Sequence, residues 1–188
     1  MASPRKPDNI TPEQYLEIER TSEFRSEYIA GEVVAMPVPS KAHGQILTNI
    51  SAELWTVLRG KPCEVNVGSS VAAPASYLIP DLVVYCDGGK FSGENEILLD
   101  PVIIVEILSK STGNYDRGEK WIRYQQIESL MHYVLISQDE PRVDVFTREP
   151  NGDWHYHSVQ SLNGQVALSF IQCQIPLAEI YDRVVFAA

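Results

Sequence analysis

The sequence predicts a mixed α/β fold of the α+β kind, a central mixed β-sheet flanked by α-helices. Three observations lead there. Residues 40–60 carry apolar side chains at helical spacing. Beyond Gly60 the apolar runs are short and either alternate or run on continuously, as strands do. A helical stretch then lies between two such runs, and a helix joining two strands of one sheet is the crossover that a parallel pair requires.

Taken in order, "TPEQYLEIER" starts a helix: Thr11 caps it, Pro12 suits its first position and Glu13 favours its first turn. "SEYIAGEVVAM" reads as two short strands about Ala30-Gly31. "SKAHGQILTNISAELWTVLRG" is the long helix, with Ile46, Ile50, Leu54 and Val57 on one stripe, Ser40 as its cap and Gly60 as its stop. "CEVNVG", "SSVAAPA" and "YLIPDLVVYCDGG" follow as strands, and "DPVIIVEILSK" as a strand buried on both faces. "NYDRGEKWIRYQQIES" is the crossover helix and "HYVLISQ" the strand it leads to. "PRVDVFTREPNGDWHYHSV" is a hairpin turning at Asn151-Gly152, and "QVALS" and "PLAEIY" close the chain.

A chain of 188 residues suits one domain with a substantial core. Residues 1–10, polar and proline-bearing, read as a flexible lead-in, and 11–188 as a single domain. A composition 44% hydrophobic and 21% charged is that of a globular chain. No apolar run reaches the roughly 18 residues a spanning helix needs, and the N-terminus lacks a signal peptide's apolar centre, so no membrane is expected and the cytoplasm is. Cys63, Cys86 and Cys173 are odd in number and widely spaced, which predicts reduced, buried thiols without disulfide or zinc site. A net charge of −10 argues against a general nucleic-acid binder, and more weakly against an enzyme that meets DNA through a divalent metal and a local basic patch.

One residue breaks the pattern of its strand. Glu106 sits in "PVIIVEIL", where a carboxylate costs several kcal/mol unless it is paired, protonated or bound to a metal. Pro80-Asp81 opens an earlier strand. If the two strands pair, both carboxylates converge at one edge of the sheet, where a hard cation such as Mg²⁺ or Mn²⁺ relieves their repulsion. Lys120, in the crossover helix, adds a positive charge aimed at a phosphate or an attacking water. Metal-dependent phosphodiester hydrolysis asks for this combination. Glu32 and His43 are candidates to complete the site, with Glu27 and Glu53 behind them.

The segments "SEYIAGEVVAM", "KAHGQILTNI", "YLIPDLVVY", "PVIIVEILSKST", "YDRGEKWIRYQQIESLMHYVLI" and "QDEPRVDVFTR" resemble the Uma-two family of restriction-endonuclease-like proteins, over about residues 11 to 183. The resemblance implies a PD-(D/E)xK nuclease core of the restriction-endonuclease type, with Asp81 in the first acidic element and Glu106 in the second. The motif's lysine position holds Leu108; the family carries that lysine on the following helix, which points to Lys120, with Lys110 as a second candidate. Glu32, His43, Ser109, Asp116 and Arg117 fall at further family positions. On this reading Mg²⁺ (or Mn²⁺) binds Asp81, Glu106 and the backbone carbonyl of Ile107, DNA is the substrate, duplex or structured, and a homodimer suits cutting of two strands.

Three other classes stay open. A catalytically inactive nuclease-fold module would bind nucleic acid or a partner protein without cleaving. A glycosidase would set Glu106 and a second acid roughly 5 to 10 Å apart, with no metal. In a structural domain, Glu106 would simply pair with Arg117 or Lys120. His155 and His157 share one strand face and His132 lies elsewhere, a weak pattern for a transition metal. Trp121, Tyr124, Tyr133 and Trp154 read as core aromatics before a base-stacking platform.

Overall fold

The computed structural model describes residues 9–109 and 113–186. Most of the expected lead-in and Lys110 therefore lie outside the described residues.

Helix α1 (Pro12–Thr21) carries the expected capping box between Thr11 and Gln14. It packs Tyr15 against Tyr28 and Tyr77 on the hairpin sheet. Strands β1 (Ser26–Ile29) and β2 (Glu32–Ala35) turn through Ala30 and Gly31, both at positive φ, the backbone a tight two-residue hairpin demands. Helix α2 (Lys41–Leu58) is capped by Ser40, whose Oγ accepts from the His43 amide, and buries Ile46, Ile50, Leu54 and Leu58. After it come β3 (Cys63–Val67), β4 (Val71–Ala73), β5 (Ser76–Leu78), β6 (Leu82–Cys86), β7 (Phe91–Ser92), β8 (Ile97–Leu98) and β9 (Ile103–Leu108).

The stretch read as one strand over "YLIPDLVVYC" divides into β5 and β6. Pro80 has no N–H to give a ladder, and the chain passes there from one sheet to the other. Asp81 thus stands at the junction.

The crossover is a helical run made of α3 (Gly113–Tyr115), a π-helical turn (Asp116–Lys120) and α4 (Trp121–Tyr124). It ends five residues earlier than the periodicity predicts. Arg148, from across the sheet, donates to the carbonyls of Gln125, Ile127 and Leu130 and holds the chain as it leaves the helix. Strands β10 (His132–Ser137), β11 (Val143–Arg148), β12 (Trp154–Val159), β13 (Gln165–Leu168) and β14 (Cys173–Pro176) and helix α5 (Leu177–Ile180) complete the order.

The strands form two six-stranded sheets, β2-β1-β5-β4-β8-β7 and β12-β11-β10-β9-β6-β3, plus the β13-β14 hairpin, where a single central sheet was expected. In the second sheet, the larger because its strands are longer, β9 and β10 run parallel and their neighbours antiparallel, as the crossover predicts. Alternation splits β9 between two apolar layers. Ile103, Val105 and Ile107 face α2, α5 and the C-terminal hairpin. Ile104 and Leu108 face the helical run and the smaller sheet. Glu106 belongs to this second set, so it points between the sheets.

The cysteine expectation fails at two positions. β3 and β6 pair with Cys63 directly opposite Cys86, and their sulfurs are bonded. Only strand pairing, which spacing along the chain does not reveal, brings them together. Cys173 is free and buried, as expected.

Candidate active site

Four elements meet around Glu106. It is 4% exposed, and its Oε1 accepts hydrogen bonds from Lys120 Nζ at 3.0 Å and from Tyr124 Oη at 3.2 Å. Lys120, 5% exposed, is also 2.9 Å from Glu27 Oε1 and 3.5 Å from Asp116 Oδ1. A regular α-helix sets residues four apart on one face; here the π-helical turn ends at Lys120 and begins at Asp116, so both point at the strand. Glu27 is fixed in turn by the Ile79 amide at 2.8 Å and by Tyr115 Oη at 3.0 Å.

One ammonium thus stands among three carboxyl groups in an apolar layer. Burial pushes Glu106 well above the usual carboxyl range; Lys120 opposes that, while Asp116, Asp81 and Glu27 add to it. Burial also works against the charge on Lys120, but Glu106 and Glu27 outweigh it and hold the ammonium well above its ordinary value. Burial and ion pairing thus pull against each other at both groups. Among the described residues no buried side-chain nitrogen or oxygen lacks a hydrogen-bond partner.

Asp81 lies next door, just before β6, whose Leu82 pairs with Val105 of β9. Its Oδ2 accepts the Ile107 amide at 2.6 Å and its Oδ1 meets His43 Nε2 at 3.0 Å. The side chains of His43 and Asp81 are 15% and 16% exposed, so this pair is the more open flank. Four sequence-predicted residues, Asp81, Glu106, Lys120 and His43, therefore gather at one end of the β6–β9 pair. Ile107 joins them through its N–H. Glu32 opens β2 opposite Ile29, on the hairpin face that also carries Glu27. Glu53, ten residues beyond His43 on α2, sits about 15 Å along the helix axis from it.

Sequence reasoning ranked Glu27 too low and gave Asp116 no role beyond its family position. A signal for Glu27 existed: it alternates with Ile29 and faces Val34, so it is a charge on the apolar face of a hairpin, the same anomaly as Glu106. Arg117, weighed as a partner for Glu106, instead reaches Asp144 at 2.7 Å. Tyr124 and Tyr133 are buried, with Trp121 stacked on Tyr133.

The site's donors suit a hard divalent cation in kind. Mg²⁺ is held through one or two carboxylates and keeps several waters, with no need of an all-protein cage. Asp81 and Glu106 are two such donors from adjacent strands. Among the described residues no group of three or more His, Cys, Asp or Glu is arranged to hold a metal, so a closed transition-metal site at the histidines finds no support. No helix among them is long and apolar enough to cross a membrane.

Comparison with known proteins gives a consistent picture. A family profile, Uma2, described as "Putative restriction endonuclease", matches residues 12–178. Two proteins of Synechocystis sp., each described as uncharacterized, are similar. One (slr1290) is 29% identical over 98% of both chains, the other (sll1609) 27% identical over 87% of this chain and 94% of its own. A crystal structure from Anabaena variabilis, described as a putative nuclease belonging to DUF820, superposes with a TM-score of 0.80 at 18% identity, covering 94% of this chain and 99% of its own. At that identity the likeness is one of fold.

Proposed function

The chain belongs to the Uma2 family, and on that premise we propose that it is a metal-dependent endonuclease that hydrolyses phosphodiester bonds in DNA at a PD-(D/E)xK-type site. The observation that carries the reading is the buried Lys120 ammonium, set against Glu106 and Glu27 with Asp81 at the start of the adjoining strand. A buried lysine among acids is costly to build, and sites of chemistry are where such perturbed groups concentrate.

Asp81, Glu106 and the backbone carbonyl of Ile107 would hold Mg²⁺ or Mn²⁺. The ion would neutralise phosphate charge and lower the pKa of water. Lys120 orients the attacking water or stabilises the charge that grows on the phosphate in the transition state. Glu27 anchors the ammonium from the opposite sheet and so sets its position. His43 fixes one oxygen of Asp81 and leaves the other to the Ile107 amide. Two copies of the chain, one for each strand of a duplex, fit the same reading.

A second reading has one observation in its favour. Among the described residues no fully buried side-chain nitrogen or oxygen lacks a hydrogen-bond partner, as in an ion-pair network that only supports a binding module. Cleavage separates the two. Supercoiled plasmid incubated with the protein and Mg²⁺ or Mn²⁺ should be nicked or linearised, EDTA should abolish this, and Glu106→Gln and Asp81→Asn should each lower the rate at least a hundredfold. Wild-type protein that binds the ion yet leaves plasmid and single strands intact would establish the binding module instead.

A further inference from the structure

Glu106 does not stand alone on its face of the sheet. In register across β10, β11 and β12 its row continues through Leu135, Asp144 and Ser158. Opposed residues on neighbouring strands share a face, so Asp144 points the same way as Glu106, two strands or about 10 Å distant. Asp144 has no exposed surface at all. Four groups converge on it: Arg117 Nη1 at 2.7 Å on Oδ2, and on Oδ1 Arg142 Nε at 3.0 Å, Tyr156 Oη at 3.0 Å and Ser158 Oγ at 2.7 Å. Arg142 Nη2 also donates to Tyr156 Oη at 3.3 Å.

The charges do not cancel. One buried carboxylate faces two guanidinium groups, whose side chains remain 38% and 31% exposed. A further acid, Glu140, 63% exposed, lies 3.9 Å from Arg142 Nη1 in a solvent-exposed pair that competes with a bound phosphate. A buried anion that holds each of two part-exposed arginines by one nitrogen fixes both guanidinium groups in place, and guanidinium forks suit phosphate oxygens. Tyr156, 47% exposed, lies beside it with its hydroxyl pinned and its ring tilted against that of Phe146. Arg117 directly follows Asp116, so one π-helical turn links this cluster to the Lys120 site.

We propose that Arg117 and Arg142, set by Asp144, form a phosphate clamp that seats the backbone of the nucleic-acid strand beside the Glu106 site. The proposal rests on the nuclease reading for its occupant, and it locates the cationic surface that a chain of net charge −10 must supply locally. Because the clamp needs no divalent ion, it can be tested apart from cleavage.

The test is fluorescence anisotropy of a labelled single-stranded DNA oligonucleotide with the full chain in EDTA, over a salt series. Arg142→Gln should weaken binding about tenfold and lower the slope of log affinity against log salt by about 0.7. Glu140→Gln, a change at an exposed position that leaves the fold alone, should tighten binding severalfold by removing the competing anion. Arg142→Gln that melts like wild type and binds with the same affinity and slope overturns the clamp, as does wild-type protein that binds no oligonucleotide. If Arg142→Gln does not fold, Glu140→Gln decides, and unchanged affinity overturns the proposal. Failure of the nuclease reading looks different: no cleavage with metal, while the EDTA measurement still reports the clamp.

Discussion

Glu106 and Lys120 share a hydrogen bond but respond differently to loss. Glu106→Gln keeps the shape and an oxygen that can still accept from Lys120 and Tyr124, while Lys120 keeps Glu27 and Asp116 as partners, so it should cost about 1–2 kcal/mol. Lys120→Met leaves Glu27, Glu106 and Asp116 facing one another without their cation, and should cost about 3–5 kcal/mol in urea unfolding. Equal losses in the two variants would mean that the cluster is a symmetric ion pair. His132, 1% exposed, carries a pH effect of its own. Burial lowers it to about 4, and its Nε2 accepts the Phe170 amide, which requires a neutral ring. A depressed folded value means stability present above the unfolded pKa of about 6.5 and lost as pH falls toward 4. Melting followed from pH 7 to pH 4 should therefore drop by up to about 3 kcal/mol more in wild type than in His132→Gln, whose amide oxygen can still accept from Phe170. Parallel curves for the two proteins would remove the histidine from the acid transition.

Helix α2 and the loop before β13 show how an element's surroundings set the sign of the same substitution. Gly44 lies in the first turns of α2 with open space where a Cβ would go. Gly44→Ala should add about 0.5–1 kcal/mol, because glycine loses more backbone freedom in a helix. Gly164 is pressed against Val159, so Gly164→Ala should destabilise. Thermal melts of both variants check the contrast, and a stabilised Gly164→Ala would mean that the loop yields. The elements themselves were largely legible. Apolar spacing at Ile46, Ile50 and Leu54 marks α2, and the continuous run around Glu106 marks β9. What escaped was whatever depends on which strand lies beside which. Cys63 and Cys86 are distant along the chain and opposite in β3 and β6. Glu27 and Lys120 meet only because the two sheets enclose the helical run. Local pattern can flag a charge in an apolar strand; it cannot name its partner.

At the scale of the molecule, the larger sheet explains why a strongly acidic chain can hold so many acids near one point. Asp81, Glu106 and Asp144 all sit on β6, β9 or β11 or at their ends, each tied to a base: His43, Lys120, or Arg117 with Arg142. The central part of the site was readable because PD and the buried glutamate are anomalies of sequence. The arginine cluster was not, because Asp144 sits in an ordinary alternating strand whose burial is set by β12 and the helix above it. Metal binding tests the whole arrangement at once, since a ligand that binds only the folded chain must raise its melting point, by the equivalent of about 2.7 kcal/mol at a hundredfold excess over its dissociation constant. Saturating Mg²⁺ or Mn²⁺ should produce such a rise in wild type, and Asp81→Asn should abolish most of it while keeping the shape that His43 and the Ile107 amide contact. Glu140→Gln, at the exposed acid beside the arginine cluster, should respond to metal as wild type does, which separates a site at Asp81 from diffuse screening of a net charge of −10. If all three proteins shift equally, the ion is only screening, and Asp81 and Glu106 are structural acids held by His43 and Lys120.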